Sequence, residues 1–288
     1  MSEPKEAIEM VEVSKMLPFN NHPFAIRDDE EMRLIESSIR QVGVLVPAIV
    51  RPLQDGFYEI IAGHRRKRAC ELAGIEVMPA VVKKVSYDVA IIMMVDSNLQ
   101  RAVILPSERA RAYKMKLDAI KRQGMRSDLT SAHVGQKLRG KTSRDQIAAG
   151  SPDSSSQIQR YLRLNELIPE LLKRVDDGLL ALTPAVEVSF MSEEEQKMLL
   201  ITMESEVVSP SLSQAKKMRC MSQQGLLTED LVLQIMLEQK KPDAWNITLP
   251  INRITQYFPR SYTPQRMEET IIRLLEAWRK HREKNEKQ

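Results

Sequence analysis

The sequence predicts an α+β chain in which a mixed strand and helix domain comes first and helices alone follow. Three observations predict it. Runs of β-branched residues bounded by glycine turns are confined to the part before residue 83. From Pro106 onward the apolar residues recur at three- and four-residue steps between marked helix stops. An aromatic share of 5% and only 10 glycines in 288 residues disfavour a barrel or a sandwich. At this length about two or three domains are expected. The composition and stop signals divide the chain into a flexible lead-in at 1–20, an α/β domain at 21–104, a helical domain at 105–225 and a helical C-terminal module at 226–288.

The elements follow in order. Residues 1–20 are polar and acidic, with a short Val11-Glu12-Val13 alternation that reads as a lead-in or an edge strand. Asp28 or Asp29 caps a helix whose apolar face is Met32, Ile35, Ile39 and Val42, and Gly43 ends it. Val44 to Arg51 and Phe57 to Ala62 read as strands around a Gln54-Asp55-Gly56 turn. Gly63 follows directly, then a helix from His64 to Ala73 stopped by Gly74, a strand from Val77 to Val82, and an apolar helix from Tyr87 to Val95 that runs into Asp96-Ser97-Asn98-Leu99-Gln100-Arg101. Pro106 opens the first helix of the second domain, with Ala110, Tyr113, Leu117 and Ile120 on one face. Thr263-Pro264 begins a last amphipathic helix carrying Met267, Ile271, Leu274, Leu275 and Trp278, which packs either on its own domain or on a second copy.

Composition excludes several classes. Cys70 and Cys220 are far apart and lack a metal spacing, so neither a disulfide framework nor a structural zinc site is expected. No run approaches 18 apolar residues, and Glu3, Glu6, Glu9 and Glu12 occupy the place of a basic and apolar leader, so neither a membrane span nor secretion is expected. The four histidines form no metal spacing, and no nucleophile elbow is present. The net charge of +4 hides an uneven distribution: between Arg101 and Arg163 there are 14 Lys/Arg against five acids, a local excess of nine. Positive charge so concentrated suits a polyanion, because each Lys or Arg on a phosphate releases condensed counterions, although solvated helix faces have the same composition.

Two constellations carry chemistry. Gly63, Arg65 and Arg66 place free backbone N–H groups, the positive end of a helix and guanidinium forks at one point, which is a way to hold phosphate. The GK[ST] ending of a Walker A loop is missing, and by spacing alone an ordinary basic surface helix fits equally. Asn98 and Arg101, at the end of the apolar helix, could reach the same phosphates, or could simply form a helix C-cap. The second constellation is a helix-turn-helix at about 142–164. Thr142 to Ala149 precede the Gly150-Ser151-Pro152 turn, and Ile158 and Leu162 point inward on the second helix. Ser155, Ser156, Gln159, Arg160 and Arg163 are left on the other side with Gln157 near the edge, and these residue types read base edges and phosphates.

From about Pro23 to Leu200 the chain resembles the ParB/Noc partition proteins. The matching segments are His22-Pro23-Phe24-Ala25-Ile26-Arg27, Gly43 to Pro52, Tyr58 to Ala69 with its Gly63-His64-Arg65-Arg66 core, and Asn98-Leu99-Gln100-Arg101 followed by Pro106-Ser107-Glu108. The resemblance implies a ParB-like, sulfiredoxin-like first domain that binds CTP with magnesium, a centromere-like double-stranded DNA site read by the helix-turn-helix, and a homodimer that closes as a sliding clamp in the cytoplasm on the nucleoid. It places Gly63, Arg65 and Arg66 on the phosphates, Asn98 near the metal and the Val44 to Pro47 loop beside the nucleotide.

Two departures bear on chemistry. The family's glycine-glutamate-arginine-arginine is Gly63-His64-Arg65-Arg66 here, and Ser97 replaces the glutamate before the asparagine, so two carboxylates that could serve a metal or activate water are missing. Nucleotide binding without strong hydrolysis follows, with Asp96 a displaced substitute about 100° away around the helix. Residues 1–20 lack the basic, leucine-containing peptide by which the family engages a ParA-type ATPase. Two rival readings stay open at this point: a helix-turn-helix regulator indifferent to nucleotide, and a small-molecule phosphotransferase on a related α/β domain.

Overall fold

The computed structural model describes residues 7–101, 103–130, 147–148, 150–206, 208–238, 257–259 and 262–285. Contacts divide the chain into a unit of Met1–Glu238 and a unit of Gln239–Gln288.

The first unit opens on a five-stranded sheet. Its strands are β1 (Ile8–Glu12), β2 (Met16–Leu17), β3 (Ala48–Pro52), β4 (Tyr58–Ala62) and β5 (Val77–Val82), in spatial order β1-β5-β3-β4-β2. β1 runs antiparallel to β5 and β3 antiparallel to β4, while β3–β5 and β2–β4 are parallel. Residues 8–12 and 16–17 are thus strands at the two edges of the sheet, joined by a 3-10 turn at Val13–Lys15, where a flexible lead-in was one of two expectations. Val11, Val13 and Met16 are buried while Ile8 and Met10 are exposed, so only the inward positions carry an apolar signal. The expected strand from Val44 starts only at Ala48, and Leu45 and Val46 are exposed in the preceding loop.

Alternation along β4 sets the layers, because successive side chains point to opposite faces of a sheet. Ile60 joins Ala48, Val50, Met78 and Ala80 in a core closed by α1 (Glu30–Val42) and α2 (His64–Ala73) through Met32, Ile39, Ala69 and Cys70. Ile61 belongs to the other core, with Phe19, Phe24 and the buried face of α3 (Tyr87–Leu99). Asp29 caps α1 by accepting from Met32 N at 2.9 Å, and Ser86 caps α3 by accepting from Val89 N at 3.4 Å.

This second core continues without a break into helices. α4 (Pro106–Thr130) lies against α3 and against α5 (Ser155–Leu164), followed by α6 (Pro169–Asp176), α7 (Leu182–Val188), α8 (Glu193–Ser205), α9 (Leu212–Gln223) and α10 (Glu229–Leu237). Capping boxes start α8 at Ser192 with Glu195 and α9 at Ser211 with Gln214. α10 was expected in the C-terminal module, yet Val232, Ile235 and Met236 bury it against α8 and α9. Gln214 fastens it further by donating to the Ile235 carbonyl at 2.8 Å. No described residue after Val82 is in a strand.

In the second unit α11 (Pro264–Asn285) starts where Thr263 Oγ1 accepts from Arg266 N at 3.4 Å. Leu274, Leu275 and Trp278 are exposed on it. No helix among the described residues is long and apolar enough to cross a membrane.

Candidate functional site

The junction of β4 and α2 is held in one conformation by a close approach. Gly63 caps α2 at φ 110°, ψ 16°, where a Cβ would sit 3.0 Å from the Ala48 Cβ and 3.2 Å from its Cα. Glycine alone fits, and its N–H and those of the first turn of α2 are left at the positive end of the helix. A cavity of 230 Å³ opens there, lined by His22, His64, Arg65, Arg66, Asn98 and Arg101 among others. All five predicted phosphate and metal positions, Gly63, Arg65, Arg66, Asn98 and Arg101, are therefore brought to one cavity. A second cavity of 430 Å³ shares Arg65 and Arg101 with it and adds Arg27, Val103 and Glu108.

Each guanidinium is placed differently. Arg65 donates from Nη2 to Asp29 at 2.9 Å and from Nη1 to Glu31 at 2.8 Å, both on the first turn of α1 or its cap. Its Nε–H is buried with no partner among the described residues, a donor whose desolvation costs about 1–3 kcal/mol until an acceptor meets it. Arg66 Nη1 donates to the carbonyls of Val46 and Pro47, the latter at 2.8 Å, so this side chain holds the loop before β3. Arg101 lies where burial and the positive charge of Arg65 both disfavour its own charge, against Glu108, Glu31 and Asp29. An anion would relieve that repulsion.

The magnesium implied for Asn98 does not fit the residues present. Asn98 Nδ2 donates to the Met94 carbonyl at 2.9 Å, and Ser97 Oγ donates to the same carbonyl at 2.9 Å. Magnesium held by protein normally takes one or two carboxylates. The nearby ones are committed: Asp29 and Glu31 to Arg65, and Glu108 to Ala25 N at 2.8 Å and Leu105 N at 3.2 Å. Asp96 is no substitute for the missing family glutamate, because it forms an ion pair with the buried ammonium of Lys116 on α4. Among the described residues no group of three His, Cys, Asp or Glu could hold a metal.

The predicted nucleic-acid reader is α5. Of the expected helix-turn-helix, 142–146 and Ala149 lie outside the described residues; Ile147 is buried. The turn after it is anchored on α4. Tyr113 Oη bonds Ser151 Oγ and the Asp153 carboxylate at 2.5 Å each, and Arg109 Nη1 reaches the same carboxylate at 3.3 Å while its guanidinium lies over the Tyr161 ring. Burial, and then the Asp153 carboxylate, hold the Tyr113 phenol above its ordinary range.

Ser154 caps α5 by accepting from Gln157 N at 3.2 Å. Ile158, Tyr161 and Leu164 are its buried face, with Leu162 half-buried beside it. Ser156, Gln159 and Arg160 are exposed, and Ser155 and Gln157 half-buried. Arg163 departs from the expected reading face. Its Nε donates to Ser189 Oγ at 3.2 Å, Nη2 donates to the Ser189 carbonyl, and the guanidinium stacks 3.9 Å from the centre of the Phe190 ring. Arg219 lies over the same ring at 3.6 Å. Arg163 thus ties α5 to the turn after α7.

Sequence reasoning missed the contact between two histidines 42 positions apart. The rings of His22 and His64 have centroids 3.9 Å apart, and both line the cavity. The only sequence signal was their place inside motif segments, next to Pro23 and after Gly63.

Residues 1–99 match the family model described as the ParB N-terminal domain. The nucleoid occlusion protein of a Geobacillus species is 30% identical over 238 residues, covering 83% of this chain and 72% of that one. The chromosome-partitioning protein Spo0J of Thermus thermophilus is 33% identical over 150 residues, 52% of this chain and 48% of its own. Stage 0 sporulation protein J of Bacillus subtilis is 32% identical over 178 residues, 62% and 56% respectively, so the chain spans about half the length of these two relatives. Among solved structures, the C-terminally truncated ParB of Caulobacter crescentus complexed to the centromeric parS site shares 20% identity at a TM-score of 0.47, covering 75% of this chain and 99% of that one. The same protein complexed with CTP-gamma-S shares 25% at a TM-score of 0.31, covering 65% and 94%. Both overlays are loose, whereas the Geobacillus relative is 30% identical across 83% of this chain and 72% of its own length; on that match the chain belongs to the ParB/Noc family.

Proposed function

We propose that this chain is a DNA-binding partition protein of the ParB type, in which CTP held at the Gly63 junction governs how long double-stranded DNA is retained. The observation that carries the reading is a glycine-fixed helix start surrounded by Arg65, Arg66 and Arg101, with a buried and unpartnered Arg65 Nε–H, in the same compact unit as α5. The amides and guanidinium groups take the phosphates. α5 takes the duplex, through Ser156, Gln159 and Arg160 with Ser155 and Gln157 at its edge. Pairing of two copies through the exposed Leu274, Leu275 and Trp278 face of α11 completes a clamp on a centromere-like site on the nucleoid. Because the cavity offers no free carboxylate, CTP acts here by binding, and hydrolysis is weak.

Arg66→Ala separates the two activities. It should abolish CTP-dependent retention on a closed DNA circle while leaving initial site affinity within about twofold, measured by surface-immobilised DNA with and without CTP. Unchanged retention would refute the gate, and a flat CTP titration with intact DNA binding would select a nucleotide-independent regulator. Arg160→Ala should instead weaken site binding by about 1–3 kcal/mol if it reads a base. If it contacts only phosphate, the salt dependence should lose about one counterion and all sequences should weaken alike. Equal affinity and equal salt slope in both proteins would remove Arg160 from the interface.

A further inference from the structure

We propose that His22 is a direct ligand contact of the Gly63 cavity and that anion binding there takes up one proton, at His22 Nε2. The inference rests on the nucleotide reading above and deepens it.

The tautomer follows from the hydrogen bonds. His22 Nδ1 lies 2.7 Å from the Phe24 carbonyl, which can only accept, so Nδ1 carries the hydrogen. The neutral ring then has a bare lone pair at Nε2. That atom is buried without a hydrogen-bond partner among the described residues. His64, stacked against it, is fixed in the same tautomer, with its hydrogen on Nδ1, because its Nε2 accepts from Phe19 N at 3.3 Å. Both rings line the cavity that Arg65, Arg66 and Arg101 line.

A phosphate oxygen brought to His22 Nε2 would meet lone pair with lone pair. The Phe24 carbonyl prevents the ring from exchanging tautomers, so a hydrogen bond forms only if a proton from solvent adds to Nε2. The product is an imidazolium that donates from Nδ1 to Phe24 and from Nε2 to the anion, a charge-assisted bond. His64 stays neutral, since its acceptor nitrogen is already used and its neighbour becomes a cation.

The surroundings keep the pair neutral until an anion arrives. Burial, and then Arg101, hold His22 below the ordinary histidine range, against the Phe24 carbonyl and Glu108. His64 is pushed down to about 3 by burial, with His22, Arg101 and Lys67 adding to it. The other charged groups around the pair are Arg65 and Arg66 on α2, Glu59 on β4, and Arg111, Lys114 and Asp118 on α4, which line another cavity with His22. Glu59 is taken by Arg51 at 2.5 Å and Asn20 N at 3.2 Å, and both oxygens of Glu108 are bonded to backbone. A polyanion among these cations reverses the balance at His22.

The test is isothermal titration of the full chain and of His22→Gln with CTP, at pH 7, in three buffers of different ionisation enthalpy. The wild type should take up close to one proton more than the variant, and its affinity should rise up to about tenfold per pH unit between pH 8 and 6, with a flatter profile for His22→Gln. A proton taken by the terminal phosphate itself appears equally in both proteins. Equal uptake and parallel pH profiles would overturn the inference while leaving the nucleotide reading intact. A second readout needs no variant: in nitrogen-15 spectra of the wild type, His22 Nε2 should move to the protonated position when CTP is added, and a ring that stays neutral in the complex overturns it too. No binding of CTP at any pH would sink the nucleotide reading and this inference with it.

Discussion

Gly63→Val should lower CTP affinity by at least about 100-fold, close to 3 kcal/mol, while the far-ultraviolet spectrum of the chain stays that of the wild type. The substitution combines two costs. A branched residue at φ 110° is strained by about 1–3 kcal/mol. Its Cβ also arrives 3.0 Å from the Ala48 Cβ and 3.3 Å from Arg66 Nη2. β3 is a central strand and cannot retreat, so the start of α2 must move, carrying Arg65, Arg66 and the first-turn amides off the phosphates. Gly74→Ala is the matched control. It has a positive φ of 72° but nothing within 4 Å of its Cβ position, so it bears the strain without the collision and should leave CTP affinity within about threefold. Titration calorimetry on both variants decides: affinity in Gly63→Val close to that of the control would mean that the junction does not shape the site.

Asp153→Ala should have the largest effect on the reader. The carboxylate is mostly buried and accepts from Tyr113 Oη at 2.5 Å and from Arg109 at 3.3 Å, with Arg109 itself only one-fifth exposed. Removing it leaves a largely desolvated guanidinium, whose Nε already lacks a partner, without its counter-charge. Losses of about 3–5 kcal/mol are usual for such a break in a fully buried pair, and partial exposure lowers the expectation to on the order of 2–3 kcal/mol. The melting midpoint should fall by roughly 5–10 °C, read by differential scanning calorimetry, and DNA affinity by more than about tenfold, because the entry to α5 is unhooked from α4. A midpoint within about 1 °C of wild type would show that the Tyr113 and Arg109 contacts do not secure the turn.

The parts of this molecule that sequence made legible are those where backbone requirements leave a local mark. Gly63 and Gly74 bracket α2 because positive φ is needed at both of its ends, and the β-branched runs of β3, β4 and β5 are dense enough to be read directly. β1 and β2 were harder, since an edge strand in contact with solvent needs only Val11, Val13 and Met16 inside and shows acids between them. Leu45 and Val46 misled in the opposite sense: they look like strand residues and are exposed, because their stretch serves to offer carbonyls to Arg66.

The residue set around the cavity could be gathered from order along the chain, but its electrostatics could not. Asp96 is withdrawn by Lys116, which lies 20 positions away, and Arg163 by Ser189 and Phe190, which lie 26 and more positions away. Pairings of that kind depend on how α3, α4, α5 and α7 pack, and no periodicity encodes them. The same is true of the two histidines, whose chemistry exists only once Phe19, Phe24 and α2 have placed them ring to ring.

The stretch of α4 from Arg109 to Lys116 grips two things at once. Lys116 fastens Asp96, two positions before Asn98, and Arg109 with Tyr113 fastens Asp153, just ahead of α5. Eight residues of helix, about 10 Å of rigid rod from first to last, therefore join the wall of the Gly63 cavity to the root of α5. Such a strut cannot tilt at one end and stay still at the other, so the two ends share one mechanical fate, and damage inflicted on either should be felt as lost precision at its opposite.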